Sequence, residues 1–323
     1  MSDPAAWKDI ILDAPTPKEA WDQIFCRLKD LATTSKSPVI LHRRTVEPDR
    51  LLCEAAWELW AAYPSAAPRT ADAVKQWCSG PAATGHAVLI LDALSLREMP
   101  FILGGAQSRN IKPTSIRVTG AEAPSATEFF AQALGASQRS VLANDGKPAA
   151  FAPFAGAVFT DVINCPFADC ISAVPNQTNV FLWHTWLDDL IHVHKRSPDQ
   201  ICTQASHDFQ GDGFWKFINR LRQGRKLLIT SDHGYAASKL FSTEVEDPEA
   251  AQSLRETFGA SRYKDDSVPW GKRLMPPLVM TVGSHHIVMG QRKWKAPGGF
   301  PQVCHGGLSL LEVAVPFIEF PPL

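Results

Sequence analysis

Apolar side chains recur three and four positions apart along Pro17-Lys-Glu-Ala-Trp-Asp-Gln-Ile-Phe-Cys-Arg-Leu-Lys-Asp-Leu31, and that period predicts an amphipathic helix. A second run of the same period starts at Glu47-Pro-Asp and continues through Tyr63. Residues 1–82 are therefore expected to form a helical segment. Trp7, Trp21, Trp57, Trp60 and Trp77 thicken it, and such large aromatic surfaces are expected to pack onto the remainder of the chain.

From Ala87 the pattern changes. Ala87-Val-Leu-Ile-Leu91 is apolar throughout, at a length suited to a strand buried on both faces, and Val180-Phe-Leu-Trp183, Lys226-Leu-Leu-Ile-Thr230 and Pro277-Leu-Val-Met-Thr-Val282 repeat the type. Helical stretches such as 126–134 and 213–222 lie between them, and Val-Pro-Phe-Ile-Glu-Phe closes the chain as a further strand. The expected class is α/β, with a doubly wound, largely parallel sheet flanked by helices over residues 83–323. In such sheets functional groups collect just past the carboxyl ends of the strands, where Asp92 and Asp232 both stand.

Composition narrows the chemistry. The chain has 323 residues, 45% of them hydrophobic, enough for a sizeable core. A net charge of -1 provides no global basic field for duplex DNA. Seven cysteines form no regular framework, and the start MSDPAAWKDI carries no basic region followed by an apolar run, so a reducing cytoplasm and no membrane association are expected. Cys165 and Cys170 lack a second pair and read as two thiols without a structural metal. No phosphate-cradling Gly-x-x-x-x-Gly-Lys-Ser/Thr run is present, so ATP is not an expected cofactor.

Four short segments carry the candidate chemistry: Asp92, the pair Asp188 and His192, Ser231-Asp232-His233-Gly234, and Cys304-His305-Gly306. Carboxylate oxygens and imidazole nitrogens are the ligands of divalent cations such as zinc or manganese. Asp188 and His192, four apart, share one helical face, with Asp189 and His194 as alternatives. Two divalent ions, zinc or alternatively manganese, are the expected cofactors. Two basic clusters are candidates for phosphate contact: Arg262 and Lys264 in Ser-Arg-Tyr-Lys-Asp-Asp, and Arg292 within Ser284 to Lys295, where bases and aromatics interleave.

The series Leu-Asp92-Ala-Leu-Ser, Ala-Pro124-Ser-Ala-Thr127-Glu-Phe-Phe, Trp183-His-Thr-Trp-Leu-Asp188, Ser-Asp232-His233-Gly and His305-Gly-Gly-Leu-Ser-Leu-Leu-Glu312-Val-Ala-Val-Pro316 resembles a PglZ domain of the alkaline phosphatase superfamily over residues 85–323. The resemblance implies an alkaline-phosphatase-like fold, one metal held by Asp92, Asp232 and His233, and a second held by Asp188, His192 and His305. It makes Thr127 the nucleophile, with Ser125 and then Ser95 as alternatives. It further implies phosphodiester hydrolysis on nucleotides or oligonucleotides, in bacterial phage defence beside partner proteins of the BREX type. Phosphomonoester hydrolysis at the same site, or a non-catalytic scaffold of a defence complex, are the alternative functions.

Overall fold

The computed structural model describes residues 4–35, 37–80, 84–194, 197–237, 245, 247–271, 274–296 and 302–323. Five helices come first: α1 (Pro4–Leu12), α2 (Pro17–Thr34), α3 (Pro38–Glu54), α4 (Glu58–Ala66) and α5 (Thr70–Ser79). Two of them start on a hydroxyl followed by proline. The Thr16 side chain accepts from the Glu19 N–H and that of Ser37 from the Ile40 N–H, while Pro17 and Pro38 supply a preset φ where no donor is needed. The helix expected from Glu47 in fact begins at Pro38 and carries Pro48 in its interior. The Ser37 cap is the stronger start signal, and burial of Leu41, Thr45 and Leu52 on one face holds the helix through the proline. Trp7, Trp21 and Trp60 are at most 1% exposed and belong to the same core as Leu89 and Leu91 of the sheet.

The central sheet has six strands: β1 (Gly85–Leu91), β2 (Ser115–Gly120), β3 (Phe159–Ile163), β4 (Val180–His184), β5 (Arg225–Thr230) and the last strand of the chain, β11 (Ala314–Phe320), in the order β2-β11-β5-β1-β4-β3. β1 pairs in parallel with β4 and β5, and β4 with β3. β11 is antiparallel to both its neighbours. The parallel centre explains the apolar runs 87–91 of β1, 180–183 of β4 and 227–229 of β5: helices cover both faces. Those helices include α6 (Met99–Gln107), α7 (Thr127–Ala133), α8 (Trp186–Val193), α9 (Pro198–Gln210) and α10 (Asp212–Arg222). Pro277 to Val282, expected to repeat the parallel strand type, instead yields β8 (Val279–Val282) in a separate antiparallel sheet with β7 (Tyr263–Asp265) and β9 (His285–Val288). Val279 and Val282 are buried while Met280 and Thr281 between them are not, so this sheet is only partly covered, unlike the central one. The remaining elements are the ribbon of β6 (Ala236–Ala237) with β10 (Val303–Cys304), α11 (Pro248–Phe258) and α12 (Leu310–Val313). Among the described residues no helix is long and apolar enough to cross a membrane.

One buried acid near this core carries a pH signature. Glu98 is 0% exposed, accepts from the Tyr235 hydroxyl and the Ser95 N–H, and is pushed by burial up to about 7. A carboxyl whose folded pKa is raised holds its proton more tightly when folded. Its contribution is complete below about 4.5 and is lost as pH rises through about 7, a swing of roughly 3 kcal/mol. Glu98→Gln keeps an acceptor and removes the titration. The difference in melting temperature, mutant minus parent, should therefore grow more positive between about pH 5 and pH 8; a flat difference would show that Glu98 is not held protonated.

Candidate metal centre

Parallel pairing brings the carboxyl ends of β1, β4 and β5 to one edge, and each delivers ligand chemistry there. Asp92 directly follows β1, Asp188 lies in the first turn of α8 after β4, and Asp232-His233 follow β5. His305 arrives on the turn that precedes α12 and β11.

Backbone and side chains lock Asp92, Asp232 and His233. The Asp92 N–H donates to the His184 carbonyl at 3.0 Å, and its Oδ2 accepts from Trp183 Nε1 at 2.9 Å and from Arg139 Nη1. Asp232 Oδ1 accepts from the Ala93 N–H at 3.0 Å and from Ser231 Oγ at 3.2 Å. Ala93 takes the left-handed conformation, φ 62°, to aim that N–H, a cost of about 1–2 kcal/mol for a residue with a Cβ. His233 Nδ1 faces the Gly234 carbonyl at 2.9 Å, so the ring hydrogen belongs there and Nε2 presents its lone pair to the centre. Gly234 permits this turn, since a Cβ there would stand 2.3 Å from the Leu311 carbonyl oxygen.

Thr127 completes the group as the first residue of α7. Its Oγ1 donates to Asp232 Oδ2 at 2.8 Å and stands 3.4 Å from Asp92 Oδ1 and 3.3 Å from His233 Nε2. The alternative hydroxyls are committed elsewhere. Ser125 Oγ donates to the Gly307 carbonyl at 2.8 Å and accepts from the Gly306 N–H, holding the turn that carries His305, while Ser95 Oγ donates to the Leu311 carbonyl.

The other half of the centre is looser. His305 Nε2 is 3.7 Å from Asp188 Oδ1, and its ring stacks on His233 with centroids 4.3 Å apart. Ligand atoms of Asp92, Asp232 and His233 all lie within 4.8 Å of one another, as do those of Asp188, His233 and His305. His233 offers one lone pair, so it can serve one of these two groups at a time. His192, expected in the second set, stands at the rim: its side chain is 62% exposed, Nε2 is 3.4 Å from Asp188 Oδ2, and its ring centroid is 5.8 Å from that of His305. Of its alternatives, Asp189 accepts from the Thr185 hydroxyl at 2.8 Å, and His194 lies at the C-terminal end of α8.

Electrostatics fit a cation. Burial, then the charges of Asp232 and Asp188, drives the Asp92 carboxyl well above its ordinary value, the response of an acid crowded by its own kind. Burial and the neighbouring His233 push His305 down to about 3, which leaves a neutral imidazole able to ligate. At Asp188 burial acts upward, but the hydrogen bond from His192 and the electrostatic pull of the His305 and His233 imidazoles outweigh it and bring the carboxyl to about 2. Asp188 Oδ1 and His305 Nδ1 are buried without a hydrogen-bond partner. Unpartnered buried acceptors are rare, and an oxygen facing two imidazoles is where a divalent ion would sit.

The expected substrate cations fall elsewhere. Arg262, expected at the phosphate, is instead buried in an ion pair with Glu312. It is 2% exposed, donates to both oxygens of Glu312 at 2.8 and 3.0 Å, and gives two further N–H groups to the Gly290 and Arg292 carbonyls. With four of its five N–H donors engaged inside the protein and its side chain buried, the guanidinium is not placed to meet a phosphate. Arg292 lines a separate cavity of about 710 Å³ with Asp49, Cys53 and Leu278. Lys264 follows Tyr263 on β7, and strand alternation turns it away from the face on which the Tyr263 ring meets Gly306. Among the described residues, the cation that reaches the centre is Arg139, 29% exposed, from the 3-10 turn Arg139–Asp145 after α7. It has no metal-ligand spacing and no motif, so sequence patterning could not flag it. At the rim, Phe129 packs edge-to-face on Tyr263 at 5.5 Å and on His285 at 4.9 Å.

Fold and centre together define an α/β protein with three carboxylates and two imidazoles gathered at the carboxyl edge of a mostly parallel sheet. No family model matches the chain, and no curated protein matches it. Among solved structures it is similar to murine ectonucleotide pyrophosphatase/phosphodiesterase 5, with 14% identity, a TM-score of 0.45 and coverage of 74% of this chain and 88% of that one. It is also similar to phosphonoacetate hydrolase from Sinorhizobium meliloti in complex with phosphonoformate, with 14% identity, a TM-score of 0.44 and coverage of 74% and 90%.

Proposed function

We propose that the protein is a two-metal phosphoryl-transfer hydrolase of the PglZ type in the alkaline phosphatase superfamily, most active on phosphodiesters of nucleotides or oligonucleotides, with Thr127 as nucleophile. The observation that carries this reading is the Thr127 hydroxyl lodged 2.8 to 3.4 Å from Asp232, Asp92 and His233. Asp92, Asp232 and His233 would hold one divalent ion, and Asp188 and His305, with His192 at the rim, the other. Bound there, zinc or manganese lowers the pKa of a coordinated hydroxyl and offsets the charge that develops on the leaving oxygen.

Each protein group then has a role. Thr127 Oγ1 passes its proton toward Asp232 Oδ2 and attacks phosphorus; the Oγ1–P bond forms as the bond to one ester oxygen breaks, and the phosphoryl group now on threonine keeps its second ester until water releases it. Trp183 Nε1 keeps Asp92 turned so that Oδ1, rather than Oδ2, faces the reacting atoms. Arg139 supplies a guanidinium to a non-bridging phosphoryl oxygen. The aromatic edges of Phe129, Tyr263 and His285 give a base-bearing substrate a surface to rest on. The setting in phage defence with protein partners rests on the PglZ-like motifs.

Turnover of a chromogenic phosphodiester and the matching monoester, by metal-stripped protein resupplied with zinc or manganese, tests the reading. Diester turnover should return with metal and fall by about 10³-fold or more in Thr127→Ala, in which no hydroxyl can form the covalent intermediate. A monoester preference would replace the diesterase reading, and Thr127→Ala at parental activity would remove Thr127 from the chemistry. Arg139→Ala should raise KM roughly 10- to 100-fold, the worth of one charge-assisted hydrogen bond, with a smaller change in kcat; an unchanged KM would show that Arg139 only braces Asp92.

A further inference from the structure

Cys165 follows β3, and Cys170 opens a short 3-10 turn (Cys170–Ala173) before β4. The reversal between them brings the two Sγ atoms to 3.0 Å, although both are free thiols. A disulfide holds its sulfurs about 2.05 Å apart, so a shift of about 1 Å closes the pair. The two sulfurs differ in access, with Cys170 at 0% exposure and Cys165 half-buried.

His184 faces the pair. Its Nδ1 accepts from the Trp186 N–H at 3.2 Å, so Nε2 carries the ring hydrogen. That hydrogen is directed at the Cys165 carbonyl, 3.0 Å away, and at Cys170 Sγ, 3.4 Å away. Burial, then the hydrogen bond with Cys165, pushes the Cys170 thiol up, so it is the protonated partner of the pair. His184 is also the last residue of β4, and its carbonyl accepts the Asp92 N–H at 3.0 Å.

We propose that Cys165 and Cys170 are a reversible dithiol–disulfide site that reads peroxide and passes its state to Asp92 through His184. The reaction balances with hydrogen peroxide as oxidant. The accessible Cys165 sulfur attacks the peroxide, its S–O bond forms as the O–O bond breaks, and one water leaves. The Cys170 sulfur then attacks Cys165 Sγ. The S–S bond forms, the S–O bond breaks, and the departing hydroxide takes the Cys170 proton as a second water. The two thiols are oxidised by two electrons and the peroxide is reduced by two; a thiol reductant reverses the change.

The full-length protein, reduced, desalted and exposed to hydrogen peroxide, is mapped by alkylation and mass spectrometry. The expected product is a linked 165–170 peptide lighter by two hydrogens, restored by reductant, with Cys170→Ser instead leaving a trappable sulfenic acid at Cys165. Both cysteines remaining alkylatable, or Cys165 passing to sulfinic acid without a link, overturns the site. Transmission rests on the hydrolase reading: oxidation should change diester turnover several-fold in the parent and not in Cys165→Ser. A linked peptide with equal turnover in both states overturns transmission alone. Absence of turnover in either state defeats the hydrolase reading, and the mapping still decides the disulfide.

Discussion

Replacing Asp232 by asparagine is expected to abolish zinc- or manganese-dependent turnover while leaving the metal-free protein at least as stable as its parent. The two halves of this result have one cause. Asparagine keeps the acceptor that Oδ1 offers to the Ala93 N–H and Ser231 Oγ, so the turn after β5 survives. It removes the charge at Oδ2, where Thr127 donates and His233 Nε2 lies 3.4 Å away. Without a cation that charge helps to drive Asp92 above its ordinary value, after burial itself, so its loss relieves the empty centre. With a cation the same charge is a ligand. Outer partners of metal ligands are worth about 10- to 100-fold in affinity, so a direct ligand should count for at least that much. Thermal melts with and without zinc separate the two effects. The parent should gain stability on zinc addition, about 4 kcal/mol at a thousand times Kd, whereas Asp232→Asn should begin at or above the parent's metal-free value and gain little. An equal zinc response in both proteins would remove Asp232 from the metal centre.

The sequence exposes the parts of this arrangement in which local chemistry and position agree. β1, β4 and β5 are legible because burial on both faces demands apolar runs, and the polar residues that follow, Asp92 directly after β1 and Ser231-Asp232 after Thr230 of β5, then mark the strand ends. β2 and β3 are not legible in that way. They are the sheet's edges, half-covered, and Ser-Ile-Arg-Val-Thr-Gly and Phe-Thr-Asp-Val-Ile mix polar with apolar accordingly. His192 shows the limit of spacing arguments. Four residues from Asp188 places it on the right face of α8, but that face turns outward by the next turn, leaving the ring at the rim. Arg139 was illegible because its role depends on how a 3-10 turn folds back over Asp92 from forty-seven residues away. Arg262 was misread because Arg-Tyr-Lys-Asp-Asp has the look of a solvated surface, while its partner, Glu312, lies fifty residues on.

The same buried pair carries the largest expected stability effect. Arg262→Met is expected to destabilise the protein by about 3–5 kcal/mol, because it leaves Glu312, 0% exposed, without its counter-charge. The melting temperature should fall by roughly 10 °C. Activity should fall as well, through the turn rather than through lost phosphate contact. Glu312 Oε1 accepts the Gly307 N–H at 2.9 Å and Oε2 accepts from Ser309 Oγ at 2.6 Å, so the carboxylate sets the backbone that presents His305. Gly307 lies flat against the guanidinium, where a Cβ would approach Arg262 Nε to 2.4 Å. A double change separates charge from geometry. Arg262→Met with Glu312→Leu buries no unpaired charge and should recover much of the lost stability, as apolar replacements of buried ion pairs commonly do. It should not recover turnover, since Gly307 and Ser309 then have no carboxylate to hold them. Full activity in the double variant would show that the His305 turn is set by its own glycines and by Ser125, with the ion pair beneath it serving only the core.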